Sequence, residues 1–210
     1  MRSKERDQDI YRHLAKLFPS PECALDHDSP FQLLIATILS AQCTDERVNL
    51  VTKGLFARYP DAQSMSEASI ASLETLVKST GFFRSKAKSL KATSTDIIEK
   101  HQGRVPKTME ALTALRGVGR KTANVVLGNI FGINAGIVVD THVGRLSRRF
   151  RWTDQKDAVK VEKDLMSWVP QKDWTVISHR LIMHGRATCK SQRPKCEACS
   201  MQHLCPSVML

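Results

Sequence analysis

Apolar residues recur along most of this chain three and four positions apart, the period of helices that bury one face. The densest run, Phe31 to Leu39, follows Ser29-Pro30, a capping residue and a proline suited to the first helical position. Ser64 and Glu67 have capping-box spacing, and Ile70, Leu73, Leu76 and Val77 continue at helical period until Gly81 can stop the helix. Ala87, Leu90, Ile97 and Ile98 mark a further helix ending near Gly103, and Thr108 can cap a short one running to Leu115. Residues 120–131 form the next, with Gly132 as its stop, and 141–150, 156–168 and 174–184 complete the set. Alternating patterns are nearly absent. Val138-Val139 is the one β-like pair, too short for a sheet. The pattern predicts an all-α protein of about ten helices.

Composition narrows the class. Apolar residues make up 41% of the 210 positions, enough for a packed core in one large or two small domains. No repeat or linker marks a domain edge. Lys and Arg number 32 against 21 Asp and Glu, a net charge of +11, which favours a polyanionic partner such as nucleic acid. No apolar run approaches the roughly 20 residues needed to cross a bilayer, and the first residues lack a signal-peptide core. The expected setting is the cytoplasm, with no membrane partner. Four of six cysteines fall in the last 22 residues, which in a reducing compartment reads as metal ligation before disulfides.

The segment Leu115-Arg116-Gly117-Val118-Gly119-Arg120-Lys121-Thr122-Ala123 joins a short helix to a longer one through two glycines. Glycines allow positive φ and close approach of a ligand to the backbone. The next helix offers its N-terminal amides and positive dipole end, an anion site suited to a phosphate, and Arg116, Arg120 and Lys121 add charge there. A glycine turn that binds nothing is the alternative. Lys121 sits where the dipole and nearby arginines repel a cation, which favours the neutral amine that a nucleophile needs. A plain phosphate-binding lysine fits equally well. Asp140 precedes Thr141-His142 and is placed to cap a helix while staying ionised, so it can also stabilise an oxocarbenium-like centre. His142 reads as a third polar member or as a structural histidine.

The cysteines are spaced Cys189-x6-Cys196-x2-Cys199-x5-Cys205. Four thiolates in this pattern suit zinc or a [4Fe–4S] cluster about equally. Lys190, Arg193 and Lys195 make the first loop of this cluster basic, a second candidate phosphate contact or a solvated surface loop. Cys23 and Cys43 read as ordinary buried cysteines.

Taken in order, LSAQCTD (39–45), GFFRSKA (81–87), LRGVGRKTA, VVDTHVGR (138–145), HGR (184–186) and the cysteine spacing resemble the endonuclease III family of DNA glycosylases over nearly the whole chain. The resemblance implies a two-lobed helix-hairpin-helix DNA glycosylase fold. A six-helix barrel lobe would span 22–133, and an iron–sulfur cluster lobe would combine 1–21 with 134–210. It implies a [4Fe–4S] cluster on the four cysteines and double-stranded DNA with damaged pyrimidines or abasic sites as partner. The default expectation for the oligomeric state, on which the sequence is silent, is a monomer. Lys121 would attack C1′ of a flipped, oxidised pyrimidine nucleotide, Asp140 would assist, and β-elimination would cut the strand. Gln42 would fill the gap left by the base and Phe82 would wedge beside it. Arg84, Thr141 and His142 join the hairpin residues 116–120 as DNA contacts. Arg116 stands where the family usually has proline, Phe82 where an aliphatic wedge is usual, and Cys43 where alanine is usual. Three other readings remain open: an adenine-mispair glycosylase of the same fold, a non-enzymatic DNA-binding module, and a small electron carrier.

Overall fold

Side-chain caps and apolar stripes divide the chain into helices, and the computed structural model describes residues 3–208. In chain order the α-helices are α1 (Lys4–Leu17), α2 (Pro30–Leu39), α3 (Asp45–Arg58), α4 (Ala62–Glu67), α5 (Ile70–Val77), α6 (Phe83–His101), α7 (Met109–Thr113), α8 (Arg120–Phe131), α9 (Thr141–Arg149), α10 (Ala158–Met166) and α11 (Trp174–Ala187). Short 3-10 turns lie at Lys78–Thr80, Gln171–Asp173 and Gln202–Leu204. Among the described residues there is no strand, and Val138-Val139 is irregular chain leading into α9. No described helix is long and apolar enough to cross a membrane.

Several boundaries follow the expected chemistry. Ser29 caps α2 with Pro30 in the first turn, Thr108 caps α7, and Gly132 ends α8 at φ 65°. Elsewhere the structure corrects the sequence reading. The capping box belongs to Asp61 and Ser64, not to Ser64 and Glu67. Asp61 Oδ1 accepts from the Ser64 amide at 2.8 Å, which places Ser64 inside α4, and Ser69 caps the following helix. Helix α10 starts at Ala158 because Asp157 accepts from the Lys160 amide at 3.0 Å. Helix α3 escaped the periodicity because it buries only Val48, Thr52 and Leu55 and leaves Leu50 exposed. Its N-cap Thr44 and the acidic pair Asp45-Glu46 were the available signal. Cys23 and Cys43 are half-buried rather than core residues; Cys23 lies in the connection between α1 and α2, and Cys43 just ahead of the N-cap of α3.

The chain forms two compact units. One is Cys23–Ile133, which holds α2 to α8. Helix α2 is its centre: apolar on every side, it is buried from Leu33 to Leu39 and packs against α3, α6 and α8. Each fully buried leucine there contributes about 1.5–3 kcal/mol of transfer free energy. The other unit joins the chain through Glu22 to the chain from Asn134 onward. Its core gathers Ile10 and Leu14 of α1 with Val143, Leu146, Phe150, Trp152, Ile177 and Leu181. Phe150, Trp152, Trp168 and Tyr11 form a chain of ring contacts with centroids 5.0–6.1 Å apart. Polar bonds tie α1 to the far end of the sequence: Tyr11 donates to Asp173 at 2.6 Å, Arg180 Nε donates to the Phe18 carbonyl at 3.0 Å, and His13 Nε2 lies 2.9 Å from Ser200 Oγ.

Within this second unit α9 and α11 cross at Gly185, the middle residue of His184-Gly185-Arg186. A Cβ there would lie 2.8 Å from His142 Nδ1 and 3.0 Å from Arg145 Nη2. Replacement by alanine adds about 1 kcal/mol of helix propensity but overpacks a contact with no slack, at a cost of about 1–3 kcal/mol. Gly185→Ala is therefore expected to be net destabilising in urea unfolding; a rise in midpoint would show that the α9–α11 contact yields freely.

Candidate functional site

The turn between α7 and α8 is built from beneath. Leu115 and Val118 are buried, and the Val118 amide donates to the Leu115 carbonyl at 3.2 Å. Val118 thus anchors the turn, while Arg116, Gly117, Gly119, Arg120 and Lys121 are exposed. Gly117 is required twice. Its φ is 81°, and a Cβ would come within 3.0 Å of Ser89 on α6. Gly119 is extended and faces open space. It stands at the N-cap of α8 without a side-chain cap, so the first-turn amides meet no capping oxygen from it. Lys121 is the second residue of that turn. The arrangement pairs a positive helix end with exposed cations, the requirements of an anion site.

Gln42, Phe82 and Arg84 belong to the same unit and are all exposed. Phe82 is 68% exposed, so it takes no part in the core. Five described non-glycine residues have positive φ: Gln42 (54°), Phe82 (46°), Gln102, Arg151 and Arg193 (47°). Gln102 and Arg151 follow helix ends, where left-handed residues are common. The other three are residues singled out above for DNA contact. Left-handed backbone costs a non-glycine residue about 1 kcal/mol or more and gathers at functional sites.

In the other unit Asp140 is the N-cap of α9, and its Oδ1 accepts from the Val143 amide at 2.8 Å. Asp140 is half-buried and Thr141 exposed. His142 is held among other groups: Arg145 Nη2 approaches its Nδ1 to 3.1 Å. Arginine only donates, so the ring accepts there in its neutral form. Burial pulls the His142 pKa below the ordinary value; Asp140 opposes this, while Arg145 and Arg186 reinforce it.

Helix α9 also grips the cysteine segment. Arg145 Nη2 donates to the Cys189 carbonyl at 2.9 Å. Arg149 Nη1 donates to Cys189 Sγ at 3.1 Å and to the Lys190 carbonyl at 2.7 Å, and its Nη2 to the Ser191 carbonyl at 3.0 Å. The sequence reading missed both arginines, although their spacing of four places them on one helix face. The Lys195 amide donates to the Thr188 carbonyl at 3.0 Å, closing a loop that leaves Lys190, Arg193 and Lys195 exposed.

All six cysteines are free. Cys189, Cys196, Cys199 and Cys205 line one shallow concavity, beside Arg149 and His184. Among the described residues no three His, Cys, Asp or Glu side chains converge closely enough to hold an ion as they stand. The donor set itself fits a metal group. Burial first, and then the neighbouring sulfurs, push Cys199 and Cys205 above the ordinary thiol value. A bound cationic centre reverses that preference and makes each a thiolate.

Residues 35–171 match the HhH-GPD superfamily of base excision DNA repair proteins. The chain belongs to that superfamily. It is 52% identical to endonuclease III of Synechocystis over 97% of this chain and 93% of that protein, and 39% identical to endonuclease III of Escherichia coli K12 over 97% and 96%. A solved trapped covalent intermediate of an endonuclease III with DNA superposes with a TM-score of 0.93 at 42% identity, covering 99% of this chain and 97% of that one. A thermostable thymine-DNA glycosylase shares the fold, with a TM-score of 0.85 at 21% identity. Within the superfamily, this chain is a member of the endonuclease III family.

The cap at Asp140 is separable from any chemistry. Asparagine keeps the capping oxygen and alanine removes it. Denaturant unfolding is expected to place Asp140→Asn within a few tenths of a kcal/mol of wild type and Asp140→Ala about 1 kcal/mol lower. Equal losses would mean that the charge, not the cap, holds the helix start.

Proposed function

We propose that the chain removes oxidised pyrimidines from double-stranded DNA and then cuts the strand at the abasic site, with Lys121 as nucleophile. The observation that carries this reading is an exposed lysine in the first turn of a helix whose N-cap is an exposed glycine, directly after the hairpin. The hairpin amides and Arg116 and Arg120 hold phosphates on either side of the lesion. The damaged nucleotide leaves the stack, Gln42 occupies the gap and Phe82 wedges beside it. Arg84, Thr141, His142 and the basic loop of Lys190, Arg193 and Lys195 add backbone contacts.

The neutral Lys121 amine bonds to C1′ as the C1′–base bond breaks and the base departs with a proton. Asp140 stabilises the positive charge that develops on the sugar ring. Ring opening leaves a Schiff base between Lys121 and C1′. Loss of a C2′ proton then expels the 3′ phosphate, and water hydrolyses the imine, which returns the free lysine. Asp140 is held ready for this because its Oδ1 is already fixed by the Val143 amide.

The same proposal assigns a [4Fe–4S] cluster to Cys189, Cys196, Cys199 and Cys205, in keeping with the shared concavity and the Arg149 N–H directed at Cys189 Sγ. When bound, it supplies iron–thiolate crosslinks that brace the basic loop. The protein acts as a monomer in the cytoplasm of a bacterial-type cell, where reducing conditions keep the thiols free.

Borohydride trapping on a duplex with an abasic site tests the nucleophile. Wild type is expected to form a covalent adduct, and Lys121→Gln none; an equal adduct from the variant would assign the chemistry to another amine. Asp140→Asn is expected to lower turnover about 100-fold or more while the fold persists. Elemental analysis tests the cluster: about four irons with sulfide per brown protein is the expected result, and a colourless protein with one zinc would overturn it.

A further inference from the structure

Helix α6 carries a buried polar stripe, Lys86, Ser89 and Thr93, at the i, i+3 and i+7 spacing of one helix face. A lysine 6% exposed is unusual, because its charge loses hydration. Here Nζ donates to the Leu39 carbonyl at 2.8 Å and to the Thr80 carbonyl at 2.6 Å. Leu39 is the last residue of α2, and Thr80 the last of the 3-10 turn before Gly81. Both are helix-end carbonyls that lack intrahelical partners, and both sit at the negative end of a helix dipole. The bonds therefore fit a cation that satisfies two chain ends at once. Burial nonetheless pulls the Lys86 pKa below the ordinary lysine value.

What those two chain ends lead into gives the contact its meaning. Three residues after Leu39 comes Gln42 at φ 54°, and two after Thr80 comes Phe82 at φ 46°. These are the two strained, exposed residues assigned above to the space left by an extruded base. The remainder of the stripe reaches the third DNA-facing turn. Thr93 Oγ1 donates to the Arg116 carbonyl at 2.6 Å, and Ser89 lies under Gly117.

We propose that Lys86 is a positioning residue: its buried amine fastens the chain leaving α2 to the chain entering α6, so that Gln42 and Phe82 act on DNA as one registered two-pronged probe. Lys86 touches no reacting atom and acts through the loops it joins. The proposal rests on the assignment of Gln42 and Phe82 to base extrusion. A methionine at position 86 keeps the apolar stem and loses both hydrogen bonds, which frees the loops without changing Lys121 or Asp140.

The test compares two duplexes with the iron-loaded full chain. One carries a thymine-glycol pair, whose base must be extruded; the other carries an abasic site, where no base has to leave. Lys86→Met is expected to lower kcat/KM on the paired lesion about tenfold or more and to keep the abasic-site borohydride adduct within about twofold of wild type. Lys86→Arg, which still donates, is expected to recover most of the loss. Hydrogen exchange read at residues 40–43 and 80–83 is expected to quicken in Lys86→Met, or in Lys86→Gln if the methionine variant does not fold. Equal loss on both duplexes, undiminished activity on the paired lesion, or unchanged exchange in a folded variant would overturn the proposal. No adduct from wild type would overturn the glycosylase–lyase reading, and this proposal with it.

Discussion

The exposed end of α8 in the Cys23–Ile133 unit depends on how closely the α7–α8 turn can lie on α6. At Gly117 the backbone comes so near Ser89 that a side chain would meet it at 3.0 Å, while Thr93 holds the adjoining Arg116 carbonyl at 2.6 Å. Fixing that carbonyl and that glycine fixes where α8 begins, and therefore where its dipole end and Lys121 stand. The requirement is steric and polar together. A larger residue at 117 meets both an unfavourable φ and a filled space, and an apolar residue at 93 removes the donor that the Arg116 carbonyl accepts from. The exposed chemistry of the hairpin is thus set by a buried contact on its far side.

The second unit solves a similar problem with arginine. Helix α9 starts at the Asp140 cap and, on the turns that follow, presents Arg145 and Arg149 to the chain after α11. One rigid element of nine residues therefore orients a carboxylate at its N-terminus and holds the cysteine loop near its C-terminus. Arginine suits this task because its planar fork donates to several carbonyls at once and stays charged when partly buried. Gly185 lets α11 approach closely enough for those bonds to form. The His184-Gly185-Arg186 segment, which carried no chemistry of its own in the sequence, becomes intelligible as a helix crossing.

Some errors of the sequence reading share one cause. Ser64-x-x-Glu67 and Asp61-x-x-Ser64 overlap, and local spacing cannot rank them; the rank is decided by which residue is already helical. Helix α3 was invisible to a search for apolar stripes because only three of its residues reach the core. The left-handed backbones of Gln42, Phe82 and Arg193 left no mark at all, since nothing in a glutamine, phenylalanine or arginine announces positive φ. Such strain is maintained by the surroundings, and the surroundings are distant in sequence.

Taken alone, the order of residues determined the helical class, most helix starts and stops, the hairpin with Lys121, the capping carboxylate Asp140 and the cysteine set. All of these are written in local spacing: capping oxygens three residues ahead, glycines at turns, cations at a helix mouth, thiols in a short segment. Tertiary structure alone decided that Lys86 lies buried between two helix ends, that Gly117 rests on Ser89, that Gly185 meets His142, and that Arg149 reaches Cys189. Each of these depends on residues tens of positions apart, for Lys86 on its bond to Leu39. A contact of that kind comes from packing three-dimensional surfaces together, and no local periodicity encodes it.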